Sequence, residues 1–264
     1  MSPIYTPGKL ILRRTYIGLD DPDAAAYITA VEIADGQPLE IGVQVAIHSF
    51  VKGCKADGIW PAIKASCIMA GARTLAGALV PLVGTAPTNF NFVAGDYNRK
   101  TGLVGNGTTK YLDSGRNNNA DPQDSKHLAV FKSSNAGKLG GLLGTALNAN
   151  GTSWIFEGFS GGNDTYRVNT NPSIILSLGS YPDTGFIGIN RSSSSNSTRR
   201  YSGATISDAS TSQAPLAANA LVFSAAGQPT DARLAYYSIG ESLDLALLDA
   251  RVTALINTFG AVIP

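Results

Sequence analysis

Between Ser66 and about Ser238 the chain strings short apolar or alternating runs between clusters of glycine, asparagine, serine and proline, and this spacing constrains the fold more than any other feature. The candidate strands are Ser66–Ala70, Thr109–Asp113, His127–Ser133, Lys138–Leu143, Ser153–Phe159, Thr165–Asn169, Ser173–Leu178, Gly185–Arg191, Arg199–Ala204, Ala220–Ser224 and Arg233–Ile239. Gly105-Asn106-Gly107, Asn150-Gly151, Gly161-Gly162-Asn163-Asp164, Tyr181-Pro182-Asp183 and Gly227-Gln228-Pro229 supply the backbone angles of tight turns between them. So many runs exceed one ordinary sheet. His127-Leu128-Ala129-Val130-Phe131 alternates, as a half-buried strand does, whereas Ile174-Ile175-Leu176 is apolar throughout, as a strand covered on both faces is. Two packed antiparallel sheets account for both patterns, so the predicted fold is mainly β, a sandwich.

The two ends change period. Asp21-Pro22-Asp23 starts a helix, because Asp caps free N–H groups and Pro in the first turn loses no bond; Asp35-Gly36 stops it. Pro38 opens a second helix in which Ile41, Val45, Phe50 and Val51 are expected to share a face, ending at Gly53, and Gly58–Lys64 adds a short turn with Trp60. A last helix is predicted from an N-cap at Ser242, with Asp244 in its first turn and Leu245, Leu248, Val252, Leu255, Ile256 and Phe259 on one face up to Gly260. That apolar face needs a partner, and the N-terminal helices are the expected one. The chain therefore divides into an arm and helical docking segment, residues 1–65, and a sandwich with its closing helix, residues 66–264. Residues 1–19 read as an extended assembly arm, with Tyr5, Leu10, Leu12 and Tyr16 as contact residues and Arg13 and Arg14 as its basic anchor.

Composition narrows the function. Among 264 residues, 20 basic side chains balance 19 acidic ones to a net charge of +1, which argues against nucleic acid as a partner. The start, Met1 to Tyr16, places Pro3 and Pro7 before a short apolar stretch and Arg13-Arg14 after it, the reverse of a signal peptide, and no apolar run reaches membrane-spanning length. Cys54 and Cys67 form no CxxC and are expected to be two buried thiols; His48 and His127 do not supply zinc spacing, and His48 reads as a packing histidine.

Catalytic patterns fail on context. Gly158-Phe159-Ser160-Gly161-Gly162 matches GxSxG, but Asn163 to Asn169 reads as turn and strand where the motif needs a helix, and no histidine follows the serine, so Ser160 is expected in a hairpin. Gly105-Asn106-Gly107-Thr108-Thr109-Lys110 lacks the ending of a P-loop. Glu157 is the one glutamate of the β-region before the final helix, too few for paired glycosidase carboxylates. The loop from Asn117 to Asp124 collects oxygens but no bidentate glutamate for calcium. The expectation is thus no enzyme, no cofactor and no metal. Sugar remains possible chemistry, since a ring covers the apolar face of a pyranose while amides and guanidinium meet its hydroxyls; Trp154, Tyr166, Tyr181, Arg191, Asn117, Asn118 and Asn119 are the candidates. The block Arg191 to Arg200 reads as a hairpin tip.

Three stretches carry a family likeness: GARTLAGALVPLVGTAPTNFNFVAGDYNRKTGLVGNGTTKYLDSGRNNNADPQDSKHLAVF from Gly71, GFIGINRSSSS from Gly185, and RLAYYSIGESLDLALLDARVTALINTFG from Arg233. Together they resemble tailed-phage and prophage virion-associated proteins with a concanavalin A-like (laminin-G-like) jelly roll, over most of residues 40–264. The resemblance implies a jelly-roll sandwich with N-terminal helices and one C-terminal helix. It also implies a structural protein of a bacteriophage particle, in a tail fibre, tail tip or capsid decoration, made in the host cytoplasm and localised to the virion. Other virion proteins and further copies of the chain, as a homo-oligomer, are the implied partners. A lectin-like module that binds a host surface glycan for adsorption is the alternative, and a polysaccharide depolymerase the third. Legume-type lectins of this broad fold use an acidic and asparagine metal cluster, of which the sequence shows no clear copy.

Overall fold

The computed structural model describes residues 19–134, 137–177 and 179–264; the arm residues Tyr5, Leu10, Leu12, Arg13, Arg14 and Tyr16 lie outside them. The protein is mainly β, two antiparallel sheets forming a sandwich with helices on one side, consistent with a jelly roll. The first sheet runs Ala204–Ala209, Asn196–Tyr201, Gly185–Arg191, Lys126–Ser134, Arg233–Gly240, Gly102–Val104, Tyr97–Asn98, and Ile63–Ile68 also pairs with Arg233–Gly240. The second runs Ile174–Ile175, Asn163–Thr170, Thr152–Ser160, Gly141–Thr145, Asn219–Val222, Tyr111–Asn117, Thr88–Phe90.

Strand alternation sorts the side chains into two cores. From the central strand of the first sheet, Leu128 and Val130 point between the sheets and meet Ile155, Val168, Ile187 and Ile189. Ala129 and Phe131 point the other way, into a helical layer with Tyr236, Leu248 and Phe259. The central strands of the first sheet are therefore buried on both faces. The same strand ends each row of inward apolar residues with a buried lysine: Lys126 bonds Asp121 Oδ2 at 3.0 Å, and Lys132 pairs with Glu157 on the opposite sheet. Cations thus bracket the inter-sheet core at both ends.

The helical layer holds α1 (Pro22–Asp35), α2 (Ile41–Ala56), the short α3 (Leu75–Ala78) and α4 (Leu245–Val262). Asp21 caps α1 by accepting from the N–H of Asp23 and Ala24, and Gly36 ends it at φ +69°. Two expectations for α2 are corrected. Its buried face is Val43, Ile47, Phe50, Val51 and Cys54, whereas Ile41 and Val45 are 68% and 48% exposed. Gly53 does not stop the helix; a Cβ there would lie 2.7 Å from the Arg251 guanidinium, which crosses α2 to hold Asp57 with Nε–Oδ2 2.7 Å and Nη2–Oδ1 2.9 Å. The cap of α4 is Asp244 rather than Ser242: its Oδ1 accepts from Ala246 N at 2.7 Å and Leu247 N at 3.3 Å. By length and mean hydropathy of 1.4, α4 would also pass for a membrane span. In this fold its Leu248, Val252, Leu255 and Phe259 pack in the helical layer with α1 and α2, the partner the sequence indicated.

Cys54 and Cys67 are buried free thiols, and burial pushes both up to about 12. His48 is buried with Nε2 2.9 Å from Asp20 Oδ1. Ser160 faces Asn163 across the Gly161-Gly162 turn, the hairpin position its sequence context demanded.

Candidate functional site

The outer face of the second sheet is the first place to look for a ligand, because helices cover the corresponding face of the first. Ile155 points into the inter-sheet core, so its neighbours Trp154 and Phe156 point outward and form a separate cluster with Phe159 and Ala225. The Trp154 ring is nevertheless 0% exposed. The Arg167 guanidinium lies 4.0 Å from its centroid and is held there by donating to Ser173 Oγ at 2.8 Å and to Ala149 O and Thr152 Oγ1, each at 3.1 Å. Desolvation lowers Arg167 to about 10. Trp154 Nε1 donates to Thr165 Oγ1 at 3.3 Å. Trp154 is thus corrected as a stacking platform, since an arginine already occupies the face a sugar would use.

Tyr166 and Tyr181 are corrected for another reason. Both turn into the inter-sheet core. The Tyr166 hydroxyl donates to Asp208 Oδ2 at 2.6 Å and lies 3.0 Å from Ser197 Oγ; the Tyr181 hydroxyl donates to Thr165 O at 3.1 Å while its ring meets Tyr201 edge-on at 5.5 Å. Burial pushes both phenols above their ordinary range. Arg191 is a rivet: buried, it donates to the carbonyls of Val168 and Ser210 at 2.7 Å and of Ser193 at 3.0 Å, and to Ser210 Oγ at 2.8 Å, tying the hairpin of residues 192–210 to the second sheet.

The polar groups of the asparagine loop are committed to partners within the protein. Asn117 Oδ1 accepts from Asn119 N at 3.2 Å; buried Asn118 donates to Gly151 O at 2.9 Å and Asn169 Oδ1 at 3.2 Å, and its carbonyl accepts from Lys126 Nζ at 3.1 Å. Asp121 sits between Arg116 and Lys126. Burial would raise its carboxyl, but the two cations hold it below the ordinary range. Of the three asparagines only Asn119 is exposed. Among the described residues no group of three or more His, Cys, Asp or Glu is placed to hold a metal ion.

Two surfaces carry features the sequence reading missed. At the far end of the second sheet, half-buried Phe90 and Tyr111 stack at 4.4 Å with 12° between planes. Alternation puts Asp113 on the same side as Tyr111, and its carboxylate accepts from Asn219 Nδ2 at 3.1 and 3.2 Å and from Gly115 N at 2.9 Å. Tyr111 and Asp113 lay in a recognised run; Phe90 lies in a three-residue strand too short to show a period. On the helical side, Ile33 of α1 is 76% exposed, and Ile41 and Val45, one turn apart on α2, are exposed as well.

No protein-family model matches the chain, and no curated protein matches it in sequence. Solved structures of similar fold include domain 4 of a GH43 extracellular arabinanase from Geobacillus stearothermophilus in complex with arabinotriose, 11% identical, with 63% of this chain and 82% of that one covered at a TM-score of 0.42. A Trypanosoma rangeli sialidase is 10% identical, TM-score 0.44, and covers 82% of this chain; this chain spans 40% of its length. Tailspike protein 2 of an Escherichia coli bacteriophage is 14% identical, TM-score 0.37, with 61% of this chain and 25% of that one covered. None of these likenesses transfers an activity. Glycosidases stand among them, however, which overturns the expectation that the chain is no enzyme, and that expectation is withdrawn. The neighbours are β-sandwich proteins bound to or acting on glycans, together with a phage tailspike.

Proposed function

We propose that the chain is a structural protein of a bacteriophage particle, made in the host cytoplasm and seated on other virion proteins through its helical layer, with the sandwich turned outward. The observation that carries this reading is the exposure of large apolar side chains on two helices of this layer. Ile33, Ile41 and Val45 stand 76%, 68% and 48% open on α1 and α2, while most other large apolar side chains among the described residues are buried. Covering such side chains is worth roughly 1.5–3 kcal/mol each, a driving force for docking that a free surface leaves unused. The resemblance of the segments from Gly71, Gly185 and Arg233 to phage virion proteins supplies the kind of assembly. Exchanging Ile41→Glu and Val45→Glu together is expected to leave the circular dichroism spectrum and melting point nearly unchanged while removing the chain from purified particles. Normal incorporation of the double variant would overturn the reading. Quantitative mass spectrometry of the same particles separates the placements, hundreds of copies meaning capsid decoration and a few meaning tail.

A second reading, binding of a host surface glycan, is favoured by the Phe90–Tyr111 stack beside the Asp113–Asn219 pair. Aromatic carbon with an adjacent carboxylate and amide matches the two kinds of surface a pyranose presents. Tyr111→Ala is expected to weaken binding of the isolated protein to host polysaccharide at least tenfold without loss of fold. Absence of binding by the unaltered protein at millimolar polysaccharide would sink this reading.

A further inference from the structure

The margins of the two sheets differ in how they are finished. An edge strand leaves a row of unpaired N–H and C=O groups that invites another strand, and proteins usually shorten, cover or charge such edges. Tyr97–Asn98 and Ile174–Ile175 are two residues long, and Thr88–Phe90 is three. Ile63–Ile68 is longer but covered, since Ser66 N donates to Val83 O at 3.0 Å and Leu82 N to Ser66 O at 2.9 Å. The exception is Ala204–Ala209, six residues at the end of the first sheet. It is exposed at every position except Asp208, which is half-buried, and contains no lysine or proline. Its one charge, Asp208, is turned inward to Arg199 and the Tyr166 hydroxyl.

The turn before this strand tells which of its backbone groups are free. Tyr201 pairs with Ala204 across Ser202 and Gly203, whose φ values of +49° and +76° are those of a two-residue type I′ hairpin. In such a hairpin the residues flanking the turn exchange both hydrogen bonds, and every second pair does so thereafter. Ala204, Ile206 and Asp208 therefore bond to the neighbouring strand. Ser210 keeps the same parity, its N–H donating to Ser195 O at 2.8 Å. Thr205, Ser207 and Ala209 aim their N–H and C=O groups out of the sheet.

We propose that this edge is an interface between two copies of the chain, paired antiparallel about Ser207 so that the two first sheets become one continuous sheet. The strand is self-complementary in that register. Thr205 meets Ala209 of the second copy, Ser207 meets its own counterpart, and the outward backbone groups of all three residues find partners. Asp208 falls opposite Ile206 of the second copy, so no like charges face each other, and Ile206, 37% exposed in the single chain, gains cover at the junction. A foreign strand would satisfy the same hydrogen bonds, but this two-fold-compatible sequence, whose one charge is already paired with Arg199, fits a second copy without any further contact. The pairing stands apart from any role in a particle.

Sedimentation analysis of the purified protein across micromolar concentrations is expected to show a monomer–dimer equilibrium. Hydrogen exchange is expected to show concentration-dependent protection of the Thr205, Ser207 and Ala209 amides. Ser207→Pro removes the central outward N–H while sparing the ladder to Asn196–Tyr201, a site where an edge tolerates proline. It is expected to give a folded monomer. Ser207→Lys sets two like charges opposite each other at the two-fold and is expected to weaken dimerisation roughly tenfold or more, whether or not the proline variant folds. A wild-type chain that stays monomeric, a different oligomer, or a Ser207→Lys protein that dimerises as tightly as wild type would overturn the proposal.

Discussion

Lys132→Met is expected to destabilise the fold by about 3–5 kcal/mol at neutral pH, because it strands a carboxylate between two sheets. Lys132 and Glu157 lie on facing strands, both buried, and pair directly. The second oxygen of Glu157, Oε2, has no hydrogen-bond partner, so the lysine is its main compensation. Burial pushes the Glu157 carboxyl above its ordinary value of 4.5, and Lys132 is the largest opposing influence. Once the cation is gone the group holds its proton more tightly still. A carboxyl whose folded pKa exceeds its unfolded value stabilises the fold below the unfolded pKa and loses that contribution as pH rises through the folded one. The deficit of Lys132→Met is therefore greatest near neutral pH and shrinks on acidification toward 4.5. Adding Glu157→Leu removes both charges and is expected to recover most of the loss, since apolar packing often equals a buried ion pair. Urea unfolding of the three proteins at two pH values checks each step. A loss within about 1 kcal/mol would mean that the pair behaves like a solvent-exposed one.

The same strand shows what the sequence makes legible. Inward Lys126, Leu128, Val130 and Lys132 alternate with outward His127, Ala129 and Phe131, and Gly185–Arg191 beside it has the bounds its apolar run predicts. The degree of cover is corrected in both directions: the run from His127 to Phe131, whose alternation suggests a half-buried strand, is buried on both faces, whereas Ile174-Ile175-Leu176, apolar throughout, leaves Ile175 57% exposed at the margin of the second sheet. Ala204–Ala209 is hidden for another reason: a strand open to solvent on both faces carries no hydrophobic period, and its first residue reads as the end of the preceding run. On α2 the expectation that Ile41 and Val45 share a face with Phe50 fails on geometry: nine residues at 100° each leave Ile41 half a turn from Phe50, which puts one in solvent and the other in the core. The candidate site suffered from what single-chain reading cannot supply, the register between strands. Trp154 is recognisable as aromatic and outward only relative to Ile155, while its cover, Arg167, is brought opposite by a pairing that includes an irregular step between Thr152 and Trp154. Arg191 and Tyr166 have polar tips that suit a ligand equally well, and only the fold shows those tips committed to backbone and hydroxyl partners.

Acid should weaken the protein through His127, by about 3 kcal/mol between neutral pH and pH 4. The ring is fully buried, with Nδ1 2.6 Å from Glu241 O and Nε2 2.8 Å from Ser238 Oγ. One neutral tautomer satisfies both contacts, Nδ1–H donating to the carbonyl and Nε2 accepting from the hydroxyl. Burial lowers the pKa from 6.5 to about 4, against a smaller upward pull from the Glu241 carbonyl. Between those values the unfolded chain binds the proton and the folded chain does not, so stability rises with pH across that window. The contribution is fully present above 6.5 and is lost as pH falls through 4. His127→Asn keeps a donor for the Glu241 carbonyl but cannot titrate. It carries its own cost for the space left by the smaller side chain, and that cost does not change with pH. The decisive quantity is therefore the difference in slope: wild type is expected to lose about 3 kcal/mol more unfolding free energy than His127→Asn over the same acidification. Parallel losses in the two proteins would place the acid-sensitive group elsewhere, whatever the absolute stability of the variant.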